Sequence, residues 1–592
     1  MAVETISQLF INTIKAYPKD CLLTAKKEGA YVPLSSREVW DRVKCTALGL
    51  KALGLKPKDK LIILSENRPD WIMMDFAVQC LGAVSVPIYP TLVPEQIGYI
   101  IRDSDARMVV CSNRDLWSRL ASIKANLPGV SQYIVFEPEG VEGAMSLDEV
   151  IGKGKAIAEG DAEFEKLAVS VEPGDLASII YTSGTTGVPK GVMLTHSNFV
   201  SNLKALRSIV EFTDKDVILS FLPLSHVLER MCTFAFLYAG ATIAYAESIE
   251  TVAQNLVEAR PSIMVSVPRL FDKIYAKVID QVLAGSGLKK KIFFWALRTG
   301  KKRGALKLRK VPVPGFLSFQ YGLAQKLVFS KILAKTGGRV RFFVSGGAPL
   351  SKDIAEFFFA AGLVVIEGYG LTETSPVVSC NTIEEPKFGT VGRPVPGVEV
   401  RIAPDGEILT RGPNLMKGYY KKDDETREVI VDGWFHTGDI GYLDDEGFLV
   451  ITDRKKDLIV TAGGKNVAPQ PIENLLRANP YITTAVVVGA SRKFISALIV
   501  PNFEKLEEYA RAGKIPFGSR AELVARPEIG NFILAEVNRA TPNLAPYERV
   551  KKIILLDRDF DIETGEITPT LKVRRSIVEL KYKGLIDTLY ND

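Results

Sequence analysis

The stretch Tyr181-Thr-Ser-Gly-Thr-Thr-Gly-Val-Pro-Lys-Gly191 is framed by two apolar, β-rich runs at 176–180 and 192–195. Its glycines at 184, 187 and 191 let backbone N–H groups come close to an anion. The hydroxyls of Thr182, Ser183, Thr185 and Thr186 add donors, and Lys190 adds a point charge suited to a polyphosphate. The spacing does not fit a Gly-x4-Gly-Lys-Ser/Thr loop, and Pro189 stands directly before the lysine. Composition alone leaves a solvated Gly/Ser/Thr hairpin turn as the plain alternative.

Outward from this loop, strand-like and helical patterns alternate. Residues 61–65, 85–88 and 107–111 read as strands, with helices at 69–81 and 95–103 between them. Strand-like runs return at 262–267, 339–344 and 363–367. Strands separated by helices predict an α/β fold whose mainly parallel sheets are flanked by helices. Residues 392–442 are Gly/Pro-rich, with short strands at 399–402 and 406–410 and another at 447–451. That pattern predicts a small β-barrel-like subdomain at about 385–453. The charged run Asp453-Arg-Lys-Lys-Asp457 then leads into a section with its own helix (471–479) and strand pair (484–488, 494–500). The reading is a large N-terminal domain over 1–453 and a smaller α+β lid domain over 454–592, hinged at 453–457.

The chain has 592 residues, 47% hydrophobic and 24% charged, which excludes disordered, collagen-like and small disulfide-framework classes. Its formal net charge of +6 conceals an asymmetry. From Gln281 to Lys352 there are 16 Lys plus Arg and no acid, which leaves the other 520 residues at −10. Six scattered cysteines without a CxxC pair point away from disulfides and zinc, toward a reducing, cytoplasmic compartment. The first 17 residues carry Glu4 within amphipathic spacing, which reads as a first helix and not a signal peptide. The longest uncharged apolar run, 231–246, has 16 residues and contains Gly240, short of the ~20 that a membrane span needs.

Four further strings follow the loop in order. They are Gly368-Tyr-Gly-Leu-Thr-Glu-Thr374, Gly433-Trp-Phe-His-Thr-Gly-Asp439, Asp453-Arg-Lys-Lys-Asp-Leu-Ile459 and Thr568-Pro-Thr-Leu-Lys572. Tyr369, between Gly368 and Gly370, can lay its ring on a purine. Thr372 can donate to a phosphate, Glu373 offers Mg²⁺ a hard oxygen, and Asp439 offers two acceptors to vicinal hydroxyls. Taken singly, these residues read more readily as a core tyrosine, a surface carboxylate and a turn aspartate. Together and in this order, the five strings resemble the adenylate-forming superfamily of acyl-CoA synthetases, luciferases and peptide-synthetase adenylation domains.

The resemblance implies roles. Thr182, Ser183, Gly184, Thr185, Thr186, Gly187 and Lys190 match the family's phosphate loop. Gly368, Tyr369, Gly370, Thr372 and Glu373 match its nucleotide and magnesium motif, and Gly346, Gly347 and Ala348 resemble its adenine-side wall. Asp439 matches the ribose ligand and Arg454 its neighbour, an interdomain salt bridge being the alternative for the arginine. The only histidines are His196, His226 and His436, which gives little support to a Ser-His-Asp triad or a multi-histidine metal site. His226, in Leu222-Pro-Leu-Ser-His-Val-Leu-Glu-Arg230, resembles the family's histidine beside the substrate carboxylate; a buried structural histidine is the alternative. Lys572 matches the lysine that stabilises charge during adenylation, although a lysine in a basic tail is ordinarily solvated. Lys456 aligns with the hinge residue about which the lid turns between two half-reactions. Gly463 and Gly464 resemble the face forming the CoA pantetheine channel, a plain hairpin turn being the alternative.

The stretch Ser220-Phe-Leu-Pro-Leu-Ser225 holds no acid to pair a substrate ammonium, and 231–237 is apolar, so the acid's tail reads as uncharged. The 222–230 string and the long insertion after Asp280 are similar to the long-chain fatty acyl-CoA synthetase branch. No carrier-domain sequence follows Lys572, which speaks against a peptide-synthetase module. The expectation is ATP-dependent activation of a long-chain fatty acid to acyl-AMP and then to acyl-CoA, with Mg²⁺ as cofactor and ATP and CoA as co-substrates. An acyl-AMP ligase serving an acyl-carrier protein is one rival reading; a non-catalytic, membrane-associated nucleotide-binding protein is the other. Lysines and arginines interleaved with Phe293, Phe294 and Trp295 predict peripheral contact of residues 286–310 with an anionic membrane on its cytoplasmic face. A solvated basic face that attracts ATP and CoA is the alternative, and no nucleic-acid partner is expected because no binding module accompanies the charge.

Overall fold

The computed structural model describes residues 3–157, 160–182, 188–561, 564–568 and 573–590, the Asn466 side chain excepted. Two large sheets organise the first three quarters of the chain. One has eight strands, with Val84–Ile88, Lys60–Leu64, Ala106–Cys111 and Gln132–Val135 running parallel. Toward one edge of it, Leu176–Thr182 and Lys190–Thr195 form an antiparallel hairpin. The other has nine strands, among them the parallel set Val217–Ser220, Ile263–Ser266, Phe342–Ser345 and Val364–Gly370. Val377–Cys380 returns antiparallel beside Val364–Gly370.

The Leu61-Ile-Ile-Leu64 run is buried on both faces, as a central parallel strand requires. Leu61 and Ile63 join the core between the sheets, whereas Ile62 and Leu64 pack outward under helix Pro94–Asp103. The helices Pro69–Cys80, His196–Ile209 and Val227–Tyr238 fill the inter-sheet layer through Phe76, Phe199 and Phe234. Burial of each ring contributes about 1.5–3 kcal/mol. Pro69 starts the first of these helices, and the Thr195 side chain caps the second by accepting from the Asn198 N–H. On the far side of the nine-stranded sheet, Phe343 packs against Phe271 and Phe358, from helices Pro268–Leu283 and Lys352–Ala361.

Residues 399–454 hold the expected antiparallel β region, a five-stranded sheet of Glu399–Ile402, Glu407–Arg411, Trp434–Leu443, Ile430–Val431 and Leu449–Arg454. Beyond it, Ile482–Val488, Ser496–Pro501 and Ile553–Leu555 form a small mixed sheet. Ile472, Leu476 and Ile533 cover one face of this sheet, and Val578 with Ile586 covers the other.

Two local expectations change, for the first helix and for the aromatics of the basic block, and the reading of the 231–246 run stands. The first helix is shorter, Ile6–Ala16, and the following hairpin Leu23–Lys27/Ala30–Leu34 escaped the pattern reading because only Leu23 and Thr24 in it are buried. The apolar run 231–246 divides at Gly240 into helix and strand, and no helix among the described residues is long and apolar enough to cross a membrane. Within Gly287–Leu308, Phe293 is buried and Trp295 half-buried against the same outer core, so of the three aromatics singled out there only Phe294 is exposed. The physical reason is that Phe293, Ala296, Gly300 and Gly304 form the face that packs on Lys352–Ala361.

Candidate active site

The C-terminal ends of Phe342–Ser345 and Val364–Gly370, the open end of the Leu176–Thr182/Lys190–Thr195 hairpin and the end of Leu449–Arg454 converge on one cavity of about 2070 Å³. That exceeds the ~300–1000 Å³ usual for a single small ligand and gives room for a nucleotide beside a long apolar molecule. Thr182 and Lys190 face each other across the hairpin. Ser183, Gly184, Thr185, Thr186 and Gly187, which connect them, lie outside the described residues, as does Lys572. Lys190 is ion-paired with Glu425 at 2.5 Å and lies over the Tyr419 ring.

Tyr369, Asp439 and Arg454 form one unit. Asp439 and Arg454 stand in register on antiparallel strands, and the guanidinium lies 2.9 Å from Asp439 Oδ1. The Tyr369 hydroxyl donates to Asp439 Oδ2 at 2.7 Å, which fixes the ring against the cavity wall. The buried Asp439 carboxylate holds the Arg454 pKa above its ordinary value. Burial and the same carboxylate push the Tyr369 phenol far up, so it stays a donor. Each Asp439 oxygen keeps a second lone pair for a ligand hydroxyl. Gly370 has a packing reason besides any ligand: a Cβ there would come within 1.7 Å of the Pro376 carbonyl oxygen.

Thr372 and Glu373 sit in a short 3₁₀ turn at the cavity, and the Glu373 carbonyl accepts from the Met416 N–H. The Tyr419 hydroxyl donates to Glu373 Oε1 at 2.9 Å. Gly346, Gly347 and Ala348 follow Phe342–Ser345 and line the same cavity opposite Gly368. His226 is the N-cap of Val227–Tyr238, and its Nδ1 accepts from the Leu228 N–H at 3.2 Å, which puts a neutral ring's proton on Nε2. His226 lines the cavity, whose apolar lining includes Phe221, Leu222, Val252, Ala253 and Leu270, together with Val210, Phe212, Ala235 and Phe236.

From the last quarter of the chain, Lys456, Thr568 and Val573 through Ile577 line the cavity, so both flanks of Lys572 reach it. Asp453 accepts from the Arg454 and Gln470 N–H groups, the second bond joining the end of Leu449–Arg454 to the start of helix Pro469–Arg477; burial raises its pKa to about 6. Gly463 and Gly464 are exposed in a hairpin turn and do not line the cavity.

Sequence reading missed three features. Glu367, one residue before the quoted motif, is 5% exposed and lines the cavity. Its Oε2 accepts from the Leu350 N–H, while Oε1 and the hydroxyl of the adjacent Ser345 have no protein partner. Burial lifts the Glu367 pKa to about 8. Tyr419, the partner of Glu373, comes from a two-residue strand with no pattern of its own. Finally, Arg230 forms a fully buried bidentate pair with Asp75 at 2.7 and 2.8 Å, and donates at 2.7 Å to each of the Ser85 and Ser178 hydroxyls. No sequence rule joins positions 155 residues apart. The pair bolts the helix capped by His226 to helix Pro69–Cys80, and the bond to Ser178 ties it to strand Leu176–Thr182 of the hairpin.

Residues 12–420 match the family described as AMP-binding enzyme, and residues 456–592 match the AMP-binding enzyme C-terminal domain. The chain belongs to the AMP-binding enzyme family. Within it, the chain is 38% identical over 574 residues to the long-chain-fatty-acid–CoA ligase FadD15 of Mycobacterium bovis, covering 95% of this chain and 93% of that one. It is 33% identical over 608 residues to long-chain-fatty-acid–CoA ligase 5 of Rattus norvegicus, covering 96% and 86%. Among solved structures, a Mycobacterium tuberculosis fatty acyl CoA synthetase superposes with a TM-score of 0.63 at 22% identity, over 98% of this chain and 99% of that one. The adenylation domain of a Mycobacterium chelonae carboxylate reductase superposes with a TM-score of 0.77 at 24% identity, over 99% and 91%. At these identities the structural matches speak for the family's fold alone.

Proposed function

We propose that this chain is an ATP-dependent long-chain fatty acid–CoA ligase. A fatty carboxylate attacks the α-phosphorus of ATP, releasing pyrophosphate and forming acyl-AMP; the CoA thiolate then attacks the acyl carbonyl and releases AMP. The observation that carries the reading is that the Tyr369–Asp439–Arg454 unit, Glu373 and His226 line one cavity together with a broad set of apolar side chains, with no acid at 220–225. The names of the aligned relatives favour the same substrate class.

In this reading the Tyr369 ring stacks on the purine, with Gly346, Gly347, Ala348, Gly368 and Gly370 forming the backbone walls. Asp439 accepts from the ribose hydroxyls and Arg454 holds that carboxylate ionised. Thr182 through Gly187 with Lys190 cradle the phosphates, Lys190 exchanging Glu425 for a phosphate oxygen. Thr372 donates to the α-phosphate, and His226 orients the fatty carboxylate through its Nε2–H. Lys572 supplies a positive charge between carboxylate and α-phosphate, stabilising charge that develops in the transition state.

Mg²⁺ fits through Glu373. Among the described residues no three His, Cys, Asp or Glu cluster to cage a metal, and one carboxylate suits an ion that keeps water and substrate phosphates as its other ligands. When bound, the ion neutralises phosphate charge. The division at 453/454, with Lys456 as pivot, is part of the same proposal: the arrangement that brings the flanks of Lys572 to the cavity serves adenylation. Rotation about 453–457 then carries Gly463 and Gly464 toward the site as the pantetheine passage. Peripheral contact with an anionic membrane belongs to this reading as well.

Palmitate-dependent exchange of labelled pyrophosphate into ATP tests the first step. The wild type exchanges, Lys572→Ala loses exchange by about 100-fold or more while still binding ATP, and undiminished exchange in that variant removes the assigned role of the lysine.

A further inference from the structure

We infer that the exposed face of Gly315–Ala324, continued through Gln325–Phe329, docks on an anionic lipid bilayer. The inference deepens the ligase reading, since a long-chain acid partitions into bilayers, and it moves the lipid-facing surface from the helix Gly287–Leu308 to the one after it.

The observations start with exposure. Among the described residues 23 large hydrophobics are exposed, and nine of them lie between Leu283 and Leu327, including all three exposed phenylalanines. Phe316 and Phe319 are each 73% exposed, and Leu323 and Leu327 are each 43% exposed. Their spacing of three, four and four residues places them along one helical face. The other side of the same segment is anchored: Ala324, Phe329 and Ile332 are buried in the outer core, and the Arg303 guanidinium lies 4.1 Å from the Tyr321 ring centre. Nothing among the described residues covers the outward stripe, and an apolar ridge this concentrated marks a binding surface.

Charge selects the occupant. Of the 16 basic residues from Gln281 to Lys352, only Lys301, Lys310 and Arg341 have a carboxylate within 4 Å among the described residues. Lys326 and Lys331 are exposed beside the stripe. A second copy of this chain would set one uncompensated cationic block against another. A nucleic acid would meet the charge but leave Phe316 and Phe319 in water. An anionic bilayer takes both, with phenylalanine and leucine in the acyl boundary and lysine at the headgroups. The placement also fits delivery. Pro268–Leu283, which lines the outer end of the cavity through Leu270, Lys273, Ile274 and Lys277, packs against Gly287–Leu308, and that helix packs against Gly315–Ala324.

The test is co-sedimentation of the full chain with vesicles of phosphatidylcholine plus phosphatidylglycerol, and of phosphatidylcholine alone. The wild type partitions to the anionic vesicles about tenfold more strongly than to neutral ones. Phe316→Ser combined with Phe319→Ser lowers partition to anionic vesicles about tenfold or more, with thermal melting unchanged because both side chains are exposed. Lys326→Glu combined with Lys331→Glu removes the preference for the anionic vesicles. The inference is overturned if the wild type sediments equally with both vesicle types. It is also overturned if the phenylalanine variant partitions like the wild type, or changes native mass without changing vesicle binding. Turnover of palmitate with ATP and CoA, measured without vesicles, separates the two claims: its absence in the wild type defeats the ligase reading, whereas lost vesicle binding with turnover intact defeats only this inference.

Discussion

Arg230→Met is the sharpest structural perturbation this site offers. Arg230 and Asp75 are both wholly buried, and the guanidinium satisfies both carboxylate oxygens as well as the hydroxyls of Ser85 and Ser178. Removing the arginine leaves Asp75 with only the Gln79 amide, at 3.2 Å, to solvate a buried charge. Breaking such a pair costs about 3–5 kcal/mol, whereas replacing both partners by apolar groups is close to neutral. At about 2–4 °C per kcal/mol for large domains, Arg230→Met lowers the melting temperature by roughly 10 °C. Asp75→Leu alone strands the arginine and costs a similar amount. The double variant Arg230→Met with Asp75→Leu loses far less than the two singles together, a coupling of about 6 kcal/mol or more if the apolar pair is close to neutral. Differential scanning fluorimetry on the four proteins supplies the cycle, and acid-dependent turnover reports whether the His226 end of Val227–Tyr238 has moved. Additive single effects, or a shift under about 2 °C for Arg230→Met, would refute the reasoning.

Three further outcomes follow from the same geometry. Tyr419→Phe deletes the hydrogen bond to Glu373, worth about 1.5–3 kcal/mol to a charged group, so half-saturating MgATP rises about tenfold with the melting temperature held; a Mg²⁺ titration of initial rates checks it. His196 is fully buried with its pKa lowered by burial to about 3, from 6.5. Its contribution to stability is therefore complete above about pH 6.5 and declines as pH falls toward 3, by about 1.4 kcal/mol per unit, and His196→Gln flattens that slope in denaturant titrations. Gly370→Ala forces a Cβ onto the Pro376 carbonyl oxygen and costs about 1–3 kcal/mol or more, read as a lower melting temperature in ligand-free protein.

The elements legible in the sequence were those with a short-range cause. The 61–65 run is β-rich because its strand is buried on both faces, and Pro69 announces the helix it begins. The glycine and hydroxyl loop could be read because a backbone anion site needs those residue types in one place. Hidden were the pairings made by topology alone. Arg230 meets Asp75, and Tyr419 meets Glu373, only because strands and helices distant in the chain are brought together. Nothing in the sequence marks Glu367 as a buried acid. The basic block misled in a different way. Its aromatic residues were visible, but which of two successive helices turns its apolar side outward depends on what packs beneath, and Phe293 is claimed by the core while Phe316 is not.

The central claim is tested most directly by a competition assay. Purified protein, ATP, Mg²⁺ and CoA receive an equimolar mixture of acetate, octanoate, palmitate, oleate and benzoate, and products are identified by mass spectrometry. The account predicts palmitoyl-CoA and oleoyl-CoA as the dominant products, with AMP released in equal amount. Acyl-AMP accumulating without thioester, or acetyl-CoA or benzoyl-CoA as the main product, would contradict it.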